Sequence, residues 1–165
     1  VCAQPRGATP PRERTAGATL DRELSTRYVL PYRVPSARPN AGLEDTLLGL
    51  LNRARRDAHL APLAPDAVLR TVARQQAEDM FAFGYLSHRS RDGRSPWDRM
   101  AGAGVHPRYA GENLAYAPDV ATAHALLMHS PDHRENILSR DYRRVGIGVQ
   151  DGGARGVVVV EDFTD

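Results

Sequence analysis

An α+β fold, with helices covering a small antiparallel sheet, is what this chain predicts, on three observations. Helical periodicity runs through the middle of the sequence, and period-two alternation appears only near its end. Strand and helix patterns do not alternate as a doubly wound parallel sheet requires. The 165 residues suit one domain with a substantial core.

Residues 1–42 are rich in Pro, Arg, Ala and Thr, with Pro5, Pro10, Pro11, Pro31, Pro35 and Pro39 interrupting any long helix. They read as a tether ahead of a domain over residues 43–165, with Asp21 to Leu30 expected to form a short turn of helix or a strand that docks on it. From Leu43 onward, Leu47, Leu50, Leu51, Ala54 and Ala58 mark one face of an amphipathic helix. Asp66 is placed to cap a second helix whose core face is Leu69, Val72, Ala73, Gln76, Met80 and Phe83, ending near Gly84. His88 falls in the loop beyond it.

Ser95, Pro96 and Asp98 are a compact helix start, and Gly102 and Gly104 stop that helix early. Residues 107–116 read as irregular or extended and carry Glu112. Asp119 caps a further helix through Ala123, Leu126 and Leu127 to about Ser130, where Pro131 is expected to break it just before His133. The chain then alternates at Val145, Ile147 and Val149, turns at Asp151, Gly152 and Gly153, and returns through Gly156 to Phe163 as a terminal hairpin.

Composition excludes several function classes. No apolar run is long enough to cross a bilayer. The net charge is +2, and the basic excess belongs to residues 1–42, where it is spread out without aromatic interleaving; nucleic acid is not an expected partner. All 22 basic residues are Arg, which fits a coding bias and carries no function. The single Cys2 rules out an internal disulfide and any cysteine-based metal cluster. The Ala/Pro/Arg-rich start resembles the stretch just downstream of a removed export signal, so a secreted or envelope-associated protein is expected. Val1 ahead of Cys2 argues against a lipidated cysteine. None of Ser87, Ser90 and Ser130 sits in a G-x-S-x-G elbow, and the glycines around Ile147 lack a phosphate-loop spacing.

Two imidazoles and a carboxylate remain as the raw material of a site. His88, Glu112 and His133 lie too far apart to meet along one helix and can converge only through the fold. Two imidazoles plus a carboxylate, with a position left for water, is the ligand pattern of many catalytic zinc sites. Glu112 can instead hydrogen-bond one imidazole and fix its tautomer, leaving two weak ligands. The bland alternative makes His88 and His133 partly buried groups that tie loops to the sheet, with Glu112 as their partner. Asn113 and Asn136 then brace loops. His129 is the one further histidine placed to approach such a pocket, and Glu135 is expected to be solvated.

In order along the chain, LLNRARRDAHLAPL, AEDMFAFGYLSH, DGRSPWDRM, AGENLAY, LLMHSPDHRENIL and VGIGV resemble the CAP superfamily of cysteine-rich secretory, antigen 5 and pathogenesis-related proteins, in its bacterial branch. The resemblance covers roughly residues 43–164 and implies a three-layer α-β-α sandwich with a small, mostly antiparallel sheet. It also implies a cavity containing His88, Glu112 and His133, lined by Ser130, Asn113 and Asn136. The second glutamate of the animal and plant tetrad has no counterpart, because Leu127 and Ser130 occupy its motif.

Two functions are expected. One is a secreted binding module whose groove engages a lipid, a cell-wall fragment or a protein and whose cavity holds Zn²⁺ or another divalent metal weakly. It needs no catalytic residue. The other is a metal-dependent, peptidase-like hydrolase with Glu112 as base or ligand.

Overall fold

A computed structural model describes residues 2–3 and 26–165. Most of the expected tether, including Pro5, Pro10 and Pro11, lies outside the described residues. Among the described residues, eight strands and five α-helices run in order: β1 (Cys2–Ala3), β2 (Tyr28–Val29), β3 (Arg38–Pro39), α1 (Ala41–Asp57), β4 (Ala64–Pro65), α2 (Ala67–Phe83), β5 (Tyr85–Leu86), α3 (Pro96–Gly102), β6 (Ala110–Ala117), α4 (Val120–His129), α5 (Pro131–Ile137), β7 (Arg144–Asp151) and β8 (Val157–Thr164).

The main sheet runs β1-β6-β8-β7-β3, antiparallel throughout, with β4 added parallel to β7. Its centre is the expected terminal hairpin, β7 paired with β8, and β6 lies on the other side of β8. Alternation along β8 sends Val157, Val159 and Phe163 to one face and Val158 and Val160 to the other. The first set meets Leu47 and Leu51 of α1, Ala123 and Leu127 of α4 and Ile137 of α5. The second meets Ala73, Ala77, Met80 and Phe81 of α2. Three layers result, as the resemblance implies.

Local chemistry explains the helix positions. Asp66 accepts from the backbone N–H groups of Val68 and Leu69, Asp119 from that of Thr122, and Ser95 with Asp98 forms a full capping box ahead of Pro96. Helix α2 lies close to the hairpin because Gly146 and Gly148 face it. A Cβ on Gly148 would stand 2.4 Å from the backbone carbon of Ala73. At the rim of β7, the Glu44 carboxylate of α1 takes a bidentate pair from Arg74 of α2 at 2.7 and 2.6 Å, joining the two helix layers.

The structure extends one local expectation and corrects two. The helix capped by Asp119 ends at His129, ahead of Pro131, as expected, but Pro131 also begins α5, because the first helical position has no N–H partner to lose. His133 is therefore helical. The inward stripe of α2 ends on Met80 and Phe81, while Phe83 is exposed under the Arg91 guanidinium, 3.5 Å from its ring centroid. Leu126 likewise faces outward. In residues 26–40, Leu30, Val34 and Ala37 are buried against α2, and β2 pairs with β5.

Candidate functional site

Successive residues of β6 point to opposite faces of the sheet, so Glu112 and Asn113 organise two different polar clusters. Glu112 faces the α2 and α3 layer. Asn113 faces α1, α4 and α5.

Around Glu112 the parts come from three places. Helix α2 ends at Gly84 in the left-handed conformation, and β5 then leads the chain to a fully buried His88. The capping box of α3 sets Arg99 one turn into that helix, where it is buried beneath β6. The His88 Nδ1 atom lies 2.7 Å from one Glu112 oxygen, and the Arg99 guanidinium pairs with the other. A second Arg99 nitrogen donates to the His88 carbonyl at 2.8 Å and to that of Arg94 at 3.2 Å. Asp162 of β8 stands directly across the ladder from Glu112.

The electrostatics divide these carboxyls. Burial pushes the Glu112 carboxyl up, but the Arg99 guanidinium and the His88 ring together outweigh it and hold the group below the ordinary carboxylate range. Glu112 is thus ionised and can only accept, so His88 Nδ1 is the donor. In the neutral ring this leaves the lone pair on Nε2. Asp162 is pushed well up, first by burial and then by the Glu112 charge.

On the other face, Asn113 donates to the His133 carbonyl at 3.1 Å and to Glu161 of β8 at 3.0 Å. Asn136 of α5 donates to Asn113 at 2.9 Å, and the Tyr142 hydroxyl lies 3.4 Å from Asn136. The His133 Nδ1 atom lies 2.6 Å from the Ser130 hydroxyl, which makes no cap bond to the helix backbone. Glu161 is fully buried, and burial, offset only in part by Asn113, raises its carboxyl to about 7.

Of the residues expected at the site, His88 and Glu112 are in contact, as are Ser130 with His133 and Asn113 with Asn136. Among the described residues, no three His, Cys, Asp or Glu side chains are grouped so as to hold a metal ion. Both Glu112 oxygens are engaged, and the guanidinium beside them opposes a second cation. Asn113 and Asn136 brace a strand and a helix in the interior rather than loops. His129 is exposed and bonds the Ala125 carbonyl at 2.7 Å, and Glu135 is exposed.

Sequence reasoning missed Arg99, Glu161 and Asp162. The acids had a signal. VVVVEDF puts two carboxylates in an otherwise apolar strand, where an unpaired charge is too costly to be incidental. Arg99 had none, since an arginine in the first turns of a helix is ordinarily solvated.

A cleft of about 500 Å³ opens beside this cluster, between Gln75, Gln76 and Asp79 of α2, the turn over residues 90–94, and Arg99. Every described side chain lining it is polar or charged.

Known proteins resemble this chain in sequence and fold. The model of the cysteine-rich secretory protein (CAP) family matches residues 48–163. The uncharacterized protein YkwD of Bacillus subtilis is 28% identical over 153 residues, covering 89% of this chain and 60% of that protein. The uncharacterized membrane protein YlbC of the same organism is 36% identical over 107 residues, covering 64% of this chain but only 31% of that protein. The chain therefore spans only part of the curated relatives it matches. Among solved structures, an extracellular protein containing an SCP domain from Bacillus anthracis superposes with a TM-score of 0.69 at 29% identity, covering 74% of this chain and 40% of that one. An outer surface protein from Borrelia burgdorferi gives 0.72 at 18% identity, covering 78% and 98%, a likeness of fold alone.

Proposed function

Because the chain belongs to the cysteine-rich secretory protein (CAP) family, we propose that it works outside the cytoplasm as a binding module. Its polar cleft takes a polar ligand such as a cell-wall fragment. The observation that carries this reading is the state of Glu112. A general base needs a carboxylate open to the proton it abstracts, and a catalytic metal needs an open ligand set. Glu112 is sealed between His88 and Arg99 and acts as an anchor that fixes the wall of the cleft.

The lining of the cleft favours a polar ligand over a lipid tail. Guanidinium, carboxylate, carboxamide and hydroxyl groups line it, and an acyl chain there would desolvate them without replacing their hydrogen bonds. A divalent metal such as Zn²⁺ would have the rings of His88 and His133 for ligands, with Glu112 behind His88 as its acceptor; two imidazoles alone hold such an ion weakly. The location outside the cytoplasm is supported by the extracellular SCP-domain protein that is 29% identical to this chain.

The test is calorimetric titration with solubilised cell-wall fragments, followed by mass spectrometry of the mixture. Saturable binding with unchanged ligand masses is the expected result. New cleavage products that depend on Glu112, or a lipid recovered by extraction of the natively purified protein, would overturn it.

A further inference from the structure

Three consecutive residues at the end of α2 are each covered by an arginine from elsewhere in the chain. The Arg91 guanidinium lies 3.5 Å from the ring centroid of Phe83, and that of Arg27 lies 3.8 Å from the ring centroid of Tyr85. Between them Gly84 leaves room for Arg33, since a Cβ at that glycine would stand 2.6 Å from Arg33 Cγ. The Tyr32 carbonyl is 3.3 Å from the same point, and the Arg155 guanidinium lies 5.1 Å from the Tyr32 ring centroid. The fold thus gathers at one turn four arginines that the sequence scatters over more than a hundred positions.

All four are exposed, and their charge is in local excess. Among the described residues Arg27, Arg33 and Arg155 make no ion pair, and Arg91 has only Asp79, which is 3.9 Å away and already engaged by the Tyr85 hydroxyl. Capping the helix does not require them. The last turn of α2 is closed by backbone groups, with the Gly84 N–H on the Met80 carbonyl at 2.9 Å and the Val34 N–H on that of Phe81 at 2.8 Å. A guanidinium laid over a ring keeps its N–H edge for a second molecule. Held in that way it gives up little freedom on binding, and its fork matches the oxygens of a phosphate or carboxylate.

We infer that this rim of guanidiniums holds an anionic polymer of the cell envelope, a flexible chain with phosphate or carboxylate groups spaced along it. The inference rests on the reading of the chain as a binding module outside the cytoplasm, and it adds a contact surface next to the cleft, whose lining includes Arg91. A small anion meets one or two of these side chains, whereas a polymer meets them together. Single-stranded nucleic acid is the poorer match because arginines already cover the rings on which its bases would stack. A bilayer is the poorer match for the same reason, since the exposed rings of Phe83 and Tyr32 lie under guanidiniums rather than free to enter it.

The full chain is titrated with labelled poly(glycerol phosphate), polygalacturonate and an oligothymidylate of similar charge, followed by fluorescence anisotropy, and with phosphatidylglycerol vesicles in a flotation assay. Saturable binding of at least one of the first two polymers is expected. With about 0.7 counterions released per contact, four contacts predict a roughly fiftyfold loss of affinity between about 50 and 200 mM salt. The Arg27→Gln, Arg33→Gln, Arg155→Gln triple variant should bind at least about tenfold more weakly at the lower salt, with a shallower salt dependence. A control triple, Arg53→Gln, Arg56→Gln, Arg134→Gln, removes the same charge from exposed positions elsewhere and should change little. If the first triple does not fold, each single variant should still flatten the salt dependence. Equal losses in the two triples, or tighter binding of the oligothymidylate or the vesicles than of either polymer, would overturn the inference. Failure of both polymers while uncharged wall fragments still bind would remove this surface and leave the module standing; failure of the fragments as well would remove both.

Discussion

Replacing Glu161 with Gln should make the protein gain stability on the wild type as pH rises from acid to alkaline, by an amount that can be worked out from the site. The carboxyl is fully buried, accepts a single hydrogen bond, from Asn113 at 3.0 Å, and has its other oxygen unpartnered. Burial raises it from 4.5 to about 7. Below the lower value both the folded and the unfolded chain carry the proton, and ionisation costs nothing. Between the two values the unfolded chain loses its proton first, so stability falls as pH rises, levelling off once the folded group has also ionised. The full penalty is about 3 kcal/mol, from about 1.4 kcal/mol for each tenfold difference in proton affinity.

Glutamine keeps the acceptor for Asn113 and has no proton to lose. Its new N–H₂ group meets no acceptor and carries a fixed cost of about 1–3 kcal/mol at every pH. The signature is therefore a slope. Urea denaturation of both proteins, monitored by circular dichroism between about pH 4.5 and pH 8, should show the variant gaining on the wild type by about 3 kcal/mol across that range. Parallel curves would refute the assignment of a buried, late-titrating carboxyl at this position.

Other perturbations test the framework. Arg99→Met strands the Glu112 charge in the interior and should cost about 3–5 kcal/mol in denaturant unfolding, with much of the loss recovered by adding Glu112→Gln. Gly148→Ala drives a Cβ to 2.4 Å from the α2 backbone, and should lower the melting temperature more than Gly49→Ala, where nothing lies within 4 Å. Asp119→Ala removes the bond to the Thr122 N–H at 2.7 Å and should lower the denaturation midpoint in the same assay, with Asp119→Ser retaining most of the cap.

Much of the framework was legible from local chemistry. Asp66, the Ser95–Asp98 box and Asp119 announce their helices because short polar side chains satisfy exposed backbone N–H groups. Val145, Ile147 and Val149 announce a strand with one face in the core. What was hidden depended on long-range partners. Pro131 announces the end of α4, but not that it also starts α5, which is held in place by Asn136 donating to Asn113. Glu44 and Arg55 look like the solvated side of α1 but are buried, one paired with Arg74 and the other donating to the Ile137 and Ser139 carbonyls at 2.8 Å. The contact of His88 with Glu112 followed from motif resemblance. The guanidinium that occupies the other half of Glu112 did not, because nothing in the sequence pairs position 99 with position 112.

The most direct test of the account is calorimetric titration of the purified protein with Zn²⁺, run beside Glu112→Gln and the His88→Ala, His133→Ala double variant. With Glu112 held as an anchor behind His88, binding to the wild type should be weak, and Glu112→Gln should lower it by no more than the roughly 10–100-fold expected for loss of an orienting acceptor. Sub-micromolar binding that falls by much more than this in Glu112→Gln, while that variant stays folded, would mean that the carboxylate is a metal ligand, and the case for a non-catalytic module would fail.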